Sequence, residues 1–259
     1  YFPVDVEYGD GEQKGELGDS GAQSSLDKRV FDLVDTIFDA DRMRREMSAI
    51  GVDTQKMPLG KLSRQHVLNG YQVLKTLESV ITLGGMANRL QLLELSNRFY
   101  TIIPHSFAAG VAPTIIDSKQ LLLQKMAMLE TLADIEVAAS LMRDGGDASS
   151  ASKNPIDLKY ARLKTNIVPI KSRSSEWSIV EEALSGTSVA TTGFSLSLSR
   201  LFRVSRTGEA ERFEPHSLDK NRRLLWHGSR MINWVGILSQ GLRIAPPEAP
   251  VSGYMFGKG

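Results

Sequence analysis

The chain has 259 residues, of which 41% are hydrophobic and 24% charged, with a net charge of +1. That composition fits one large or two modest globular domains. It excludes bulk electrostatic attraction for nucleic acid, disulfides and thiolate-bound zinc (there is no cysteine), and a membrane span, since no apolar run approaches the ~20 residues a bilayer requires. The opening YFPVDVEYGD has no basic stretch followed by an apolar one, so it does not read as a secretory leader.

Tyr1 to Tyr8 alternates Phe2, Val4 and Val6 with Pro3, Asp5 and Glu7, which predicts a strand. Such a strand has no sheet of its own, and the chain lacks an initiator Met, so residues 1–9 read as the last strand of a preceding domain. Residues 10–25 are glycine-rich and without apolar periodicity, a linker. Residues 26–146 carry helical spacing. Val30, Val34, Ile37 and Phe38 share one face; Met43, Met47 and Ile50 share another. Ser63 is placed to cap a helix bearing Val67, Tyr71, Leu74 and Ile81. Leu92, Leu95 and Phe99 belong to a further helix that Pro104 stops. Ser118 is placed to cap a long helix with Leu122, Met126, Leu129, Leu132 and Ile135 inward, ended by Gly145 and Gly146. These stripes must be buried against one another, which predicts a helical bundle.

Residues 147–153 complete a second Gly/Ser/Ala linker, and the pattern then changes. Leu163 to Ile170 predicts a strand, Ser174 to Leu184 a short helix, and Phe194, Leu196 and Leu198 with Phe202 and Val204 a strand containing a bulge. Arg223 to Trp226 predicts another strand, and Ile232 to Gln240 a short helix ended by Gly241. The closing IAPPEAPVSGYMFGKG is a Pro/Gly-rich loop without a closing strand, so this domain reads as ending in mid-fold. The fold class is therefore multidomain α+β: an all-α helical bundle, then an incomplete mixed α/β domain over 154–259. The bundle is expected to fold by itself and the α/β part to be poorly stable alone.

LLWHGSR, Leu224 to Arg230, is the strongest local signal. His227 can donate or accept a hydrogen bond, Gly228 lets backbone amides approach a planar ligand, and Ser229 offers a hydroxyl to a sugar. A histidine beside a tryptophan also fits a satisfied core residue. Lys220, Arg222, Arg223 and Arg230 fit either an anion-attracting cluster or a solvated rim.

LLWHGSR followed by GILSQGLRIAPPEAPVSGYMFGKG resembles the donor-site segment of the DNA-damage-responsive poly(ADP-ribose) polymerases. MPLGKLS (Met57 to Ser63), SNRFYTIIP (Ser96 to Pro104), DIEVA (Asp134 to Ala138) and NPIDLKY (Asn154 to Tyr160) resemble successive landmarks of the same family, in order, and YFPVDVEYG resembles the end of its WGR domain. The resemblance implies a regulatory helical domain followed by the first part of an ADP-ribosyltransferase domain, with NAD as substrate and no metal. It implies that His227 is the first of a His-Tyr-Glu triad and bonds the adenosine ribose. Gly228 would hold the nicotinamide amide through its backbone. Ser229 and Asn233 would hold the adenosine ribose, and Gly236 and Arg243 would fall at further NAD positions, with Tyr254 bordering the pocket. Asn233 equally fits a helix cap, and Gly236 a packing glycine. Glu130 and Asp134, four apart on one helical face, match acidic positions that face the donor pocket from the helical domain; they equally fit a solvated acidic face.

The same resemblance implies a nuclear enzyme of DNA damage response and repair, gated by its helical domain and activated by damaged DNA bound through upstream domains. Its acceptors would be proteins, including itself, and no membrane partner is expected. One of three triad members is present, so the chain alone is expected to be inactive. Mono-ADP-ribosyl transfer and a non-catalytic interaction fragment stay open as alternatives. Two departures from the family pattern stand out: TSVATTGF, Thr187 to Phe194, carries no histidine, and MINWVG, Met231 to Gly236, is bulkier than usual before Asn233.

Overall fold

The computed structural model describes residues 23–83, 88–108, 110–143, 154–187 and 196–242. The strand expected over 1–8, the linker over 147–153, the glycine stop at 145–146, and Phe194, Arg243 and Tyr254 lie outside them.

Five α-helices build the first part: α1 Lys28–Ile37, α2 Ala40–Ala49, α3 Arg64–Leu83, α4 Arg89–Ile102 and α5 Lys119–Arg143, with a 3₁₀ turn at Leu59–Lys61. Their starts are fixed by short polar side chains. Asp27 accepts from the Arg29 amide and Asp39 from the Arg42 amide, both at 2.9 Å, satisfying amides that have no partner inside the helix. Ser63 and Ser118 accept from the His66 and Leu121 amides at 3.4 and 3.3 Å, the caps expected from sequence. Most of the expected stripes are buried: Val30, Val34 and Ile37 on α1 with Phe38 at its end, Met43 and Met47 on α2, Val67, Tyr71 and Leu74 on α3, Phe99 on α4, and all five predicted inward residues of α5; Ile50, Ile81, Leu92 and Leu95 are half-buried against them.

Helix α5 is buried around most of its circumference, with Met128, Thr131, Val137, Ala138 and Ala139 enclosed besides the expected stripe. A helix apolar on several faces belongs at the centre of a fold. On one side α3 approaches so closely that a Cβ on Gly70 would stand 2.9 Å from Leu129 Cδ2. On the other side lie α6 (Pro155–Leu163), a 3₁₀ turn at Met231–Asn233 and α9 (Trp234–Gln240).

The second part is smaller. Asn154 caps α6 by accepting from the Ile156 amide at 2.9 Å, and Pro155 occupies the first helical position. Strands β1 (Thr165–Pro169) and β2 (Phe202–Arg206) pair antiparallel, Thr165 opposite Arg206 and Pro169 opposite Phe202. Helix α7 spans Ser175–Thr187 and a short α8 spans Glu209–Phe213. Of the bulged strand expected from Phe194 onward, the described part is strand over Phe202–Arg206; residues 196–200 join no ladder, and Leu196 is exposed. The serines between the apolar residues there give that stretch little to bury.

The two parts share one core. Ile156, Leu163, Ile167, Ile232, Val235 and Leu238 belong to the same buried cluster as Val34, Leu74 and Leu129. Arg162 donates to the Leu141 and Met142 carbonyls at 2.8 and 3.2 Å, closing the C-terminal end of α5 with a cation. The two parts are therefore continuous in the folded protein. Heat denaturation followed by far-ultraviolet circular dichroism and by tryptophan fluorescence is expected to give one coincident transition, because Trp234 packs against that cluster.

A polar cluster lies inside the bundle. His105 is 7% exposed; its Nδ1–H donates to the Ile103 carbonyl at 2.6 Å and its Nε2 accepts from Lys125 Nζ at 2.8 Å. Tyr100 and Phe107 pack on the ring. Burial, then the Lys125 charge, lower the His105 pKa to about 4. The folded protein thus binds fewer protons than the unfolded chain between about pH 6.5 and 4. Stability is fully present above pH 6.5 and is lost as pH falls toward 4, by about 2 kcal/mol after allowance for solvent screening. Urea unfolding at pH 7 and pH 4 is expected to show this loss, and His105→Gln to remove that part of it.

Candidate functional site

The segment leading to LLWHGSR is in neither helix nor strand and forms no ladder. Among the described residues the sheet consists of β1 and β2 alone, and Leu224 and Leu225 are 72% and 81% exposed, with Trp226 at 53%. The strand expected over Arg223–Trp226 is therefore absent here. Alternation and β-propensity prepare a segment for pairing, but a strand exists only where a neighbour supplies the other half of each hydrogen bond. Before it, Arg222 donates to the Ser217 carbonyl at 3.1 Å and lies over the Phe213 ring. Lys220 and Arg223 face solvent.

After the histidine the chain is anchored. Arg230 Nη1 donates to Thr131 Oγ1 at 3.4 Å on α5 and stands 3.7 Å from Glu46 Oε2 on α2. Ile232, Val235 and Leu238 then bury themselves, and Ser229 becomes half-buried while His227 and Gly228 remain exposed. A Cβ added to Gly228 would meet nothing within 4 Å, so that side of the backbone is open.

Asn233 Nδ2 donates to Ser229 Oγ at 3.1 Å. The Ser229 oxygen is the acceptor there, which leaves its own proton available to another group. Asn233 Oδ1 is buried and accepts no hydrogen bond among the described residues. The side chain of Asn233 also makes no capping bond to α9, so the capping alternative is not what the fold uses. Gly236 faces α5: a Cβ there would lie 3.7 Å from Asp134 Oδ1 and 3.9 Å from Val137 Cγ1. Both are ordinary contact distances, so the packing against α5 would admit a methyl group and does not by itself require a glycine there.

The structure thus gathers Ser229, Asn233, Gly236 and Asp134 along the seam between α9 and α5. Glu130, one turn earlier on α5, is exposed, and Asp134 is half-buried. Glu46, Thr131 and the anchoring by Arg230 escaped sequence reasoning: 99 residues separate Arg230 from Thr131, and no local pattern announces such a pair. A cavity of about 420 Å³, lined among others by Tyr160, Lys164, Asn166 and Arg206, lies elsewhere and includes none of the predicted site residues. Among the described residues no cluster of His, Asp or Glu has the makings of a metal site.

Comparison with known proteins gives two family matches: poly(ADP-ribose) polymerase, regulatory domain, over residues 24–160, and poly(ADP-ribose) polymerase catalytic domain over residues 174–259. The whole chain is 42% identical to poly(ADP-ribose) polymerase 1 of Gallus gallus and covers 25% of it. It is 42% identical to poly(ADP-ribose) polymerase of Drosophila melanogaster, covering 26%, and 41% identical to poly(ADP-ribose) polymerase 2 of Zea mays, covering 40%. The chain therefore spans about a quarter of the animal relatives and two fifths of the plant one.

Arg230 carries a partly exposed pair, worth at most about 1 kcal/mol, yet it fixes where the His-Gly-Ser segment meets the helices. Arg230→Ala is expected to lower global stability by no more than ~1 kcal/mol. It should raise amide hydrogen exchange across residues 229–233 by about fivefold, because the loss is local.

Proposed function

The chain belongs to the poly(ADP-ribose) polymerase family, and on that premise we propose that it is the regulatory and donor-binding part of an NAD-dependent protein ADP-ribosyltransferase that builds poly(ADP-ribose) in the DNA damage response. The observation that carries the reading is the Ser229–Asn233 pair beside an open Gly228 and an exposed His227, within the span matched by the catalytic family. These are the groups a ribose and a planar carboxamide need. A hydroxyl arriving at Ser229 would accept its free proton. A small adjustment would bring the ligand's own proton to Asn233 Oδ1, relieving a buried acceptor whose solitude costs about 1–3 kcal/mol.

In this reading His227 orients the adenosine ribose, and Gly228 holds the nicotinamide amide through its backbone. Ser229 and Asn233 hold the ribose, and Arg243, outside the described residues, adds a cation for the adenine and pyrophosphate end. Binding both ends of NAD fixes the nicotinamide–ribose bond in one place, which removes much of the entropic cost of reaction. As that bond breaks, positive charge grows on the ribose carbon and an acceptor group of a protein attacks it. A carboxylate beside that carbon stabilises the charge.

The helical part acts as a gate. Asp134 lies beside Gly236 at the α9 seam, with Glu130 one turn earlier on α5 and exposed, and a closed arrangement there excludes NAD. Damaged DNA bound by other domains would favour an open arrangement, a shift between two populations. We place the protein in the nucleus on the same reasoning.

The test is incubation of the protein that contains this chain with labelled NAD, with and without nicked DNA. A DNA-stimulated ladder of label is expected. Label confined to a single band would establish mono-ADP-ribosylation instead, and no label a non-catalytic role. His227→Ala is expected to lower kcat/KM for NAD by roughly 100-fold with the fold intact by circular dichroism.

A further inference from the structure

The segment entering α1 is clasped to α6 by one carboxylate. Ser24 Oγ, Ser25 N–H and Ser25 Oγ all donate to Asp157, in the first turn of α6; the two Ser25 bonds are 2.8 and 2.7 Å. The partners are more than 130 residues apart in sequence, so the clasp ties the two parts of the fold together. Ser24 also accepts from the Leu26 amide at 3.2 Å and is half-buried, whereas Ser25 is exposed and in a non-helical stretch.

We propose that Ser25 is a phosphorylation site whose modification opens this clasp. A protein kinase takes its substrate from exposed, non-helical chain, which Ser25 offers; the Ser25 hydroxyl, bonded to Asp157 in the closed clasp, becomes available when the clasp opens. Asp27 follows two residues on, and Lys28 and Arg29 come directly after it, so the flank offers both an acidic and a basic element to a kinase. The step balances with ATP as donor: the Ser25 oxygen bonds the γ-phosphorus, the bond from that phosphorus to the β-bridging oxygen breaks, ADP leaves, and the hydroxyl proton passes to the kinase's base.

The consequence follows from charge. The modified oxygen loses its proton, and the phosphate adds nearly two negative charges where a carboxylate now stands 2.7 Å away. The Ser25 bond becomes repulsion. A better home lies on the same side. Lys28, 88% exposed along its side chain and paired with Asp32 at 3.4 Å, and Arg29, paired with Asp27 at 2.9 Å, both lie in the first turn of α1, and these exposed pairs can be exchanged for a doubly charged phosphate. A helix N-terminus favours an anion. The phosphate should exchange Asp157 for that turn and draw the segment off α6.

The test needs no transferase activity, so its failure is separate from that of the proposed function. The chain is treated with ATP and, in separate reactions, an acidic-directed and a basic-directed serine kinase, and phosphopeptides are mapped. Phosphate on Ser25, absent in Ser25→Ala, is expected; modification of other serines with Ser25 untouched would overturn the proposal. A second arm installs phosphoserine at position 25 and follows hydrogen exchange. Protection at residues 25–27 and 156–158 should fall at least tenfold, and Asp157→Asn, which keeps an acceptor but removes the charge, should cut that loss to a few-fold. Unchanged protection in the phosphorylated chain, or an equal loss in the Asp157→Asn background, would refute the mechanism.

Discussion

Helix α5 must satisfy two neighbours at once. Leu122, Met126 and Leu129 close the bundle against α3, while Thr131, Asp134 and Val137 meet the 3₁₀ turn and α9. Twenty-five residues of continuous helix span about 37 Å, so this one rigid element carries both packing surfaces. Burying leucine and methionine around most of a helix contributes about 1.5–3 kcal/mol for each fully enclosed side chain. Neither surface can therefore be given up without large cost. The candidate site inherits its position from that constraint, since Ser229, Asn233 and Gly236 are placed by where α9 docks.

The polar contacts across the seam are of another kind. Arg230 reaches Thr131 and Glu46 at 3.4 and 3.7 Å, with more than half of its side chain exposed. Such pairs contribute little to stability and are easily exchanged for water. A seam held by apolar packing beneath and weak polar contacts at its rim can open at the rim while the core stays closed. The exposed His-Gly-Ser segment stands at that rim, which is where a gate between the helices and a ligand would operate.

Most of the bundle was legible in the sequence because a helix is a local object. Its hydrogen bonds close within four residues and its buried face repeats every 3.6, so Val30 to Phe38 and Leu122 to Ile135 announce themselves. Caps are local too, and Ser63 and Ser118 were readable for that reason. Strands were legible as segments, Thr165–Pro169 and Phe202–Arg206 both overlapping expected ones, but their pairing across nearly forty residues was not, and Arg223–Trp226 has the composition of a strand without a partner among the described residues. Long-range polar contacts left no trace at all: nothing around Asp157 predicts two serines from the start of α1, and nothing around His105 predicts Lys125 twenty residues on.

The His105 cluster shows why such hidden contacts matter for the bundle. A neutral imidazole bridges the Ile103 carbonyl and the Lys125 ammonium, so both ring nitrogens are satisfied and the ring need not carry charge. The Lys125 pKa is itself lowered by burial. The two cation-forming groups tolerate each other only because one of them stays uncharged. An apolar residue at either position would strand the other's polar groups inside the protein. The pair therefore fixes how the loop after α4 returns to α5, with Val52 bridging to His105 and the Asp53 amide donating to the Pro104 carbonyl at 2.8 Å. That return sets the start of α5, and through α5 the placement of everything that docks on its far side.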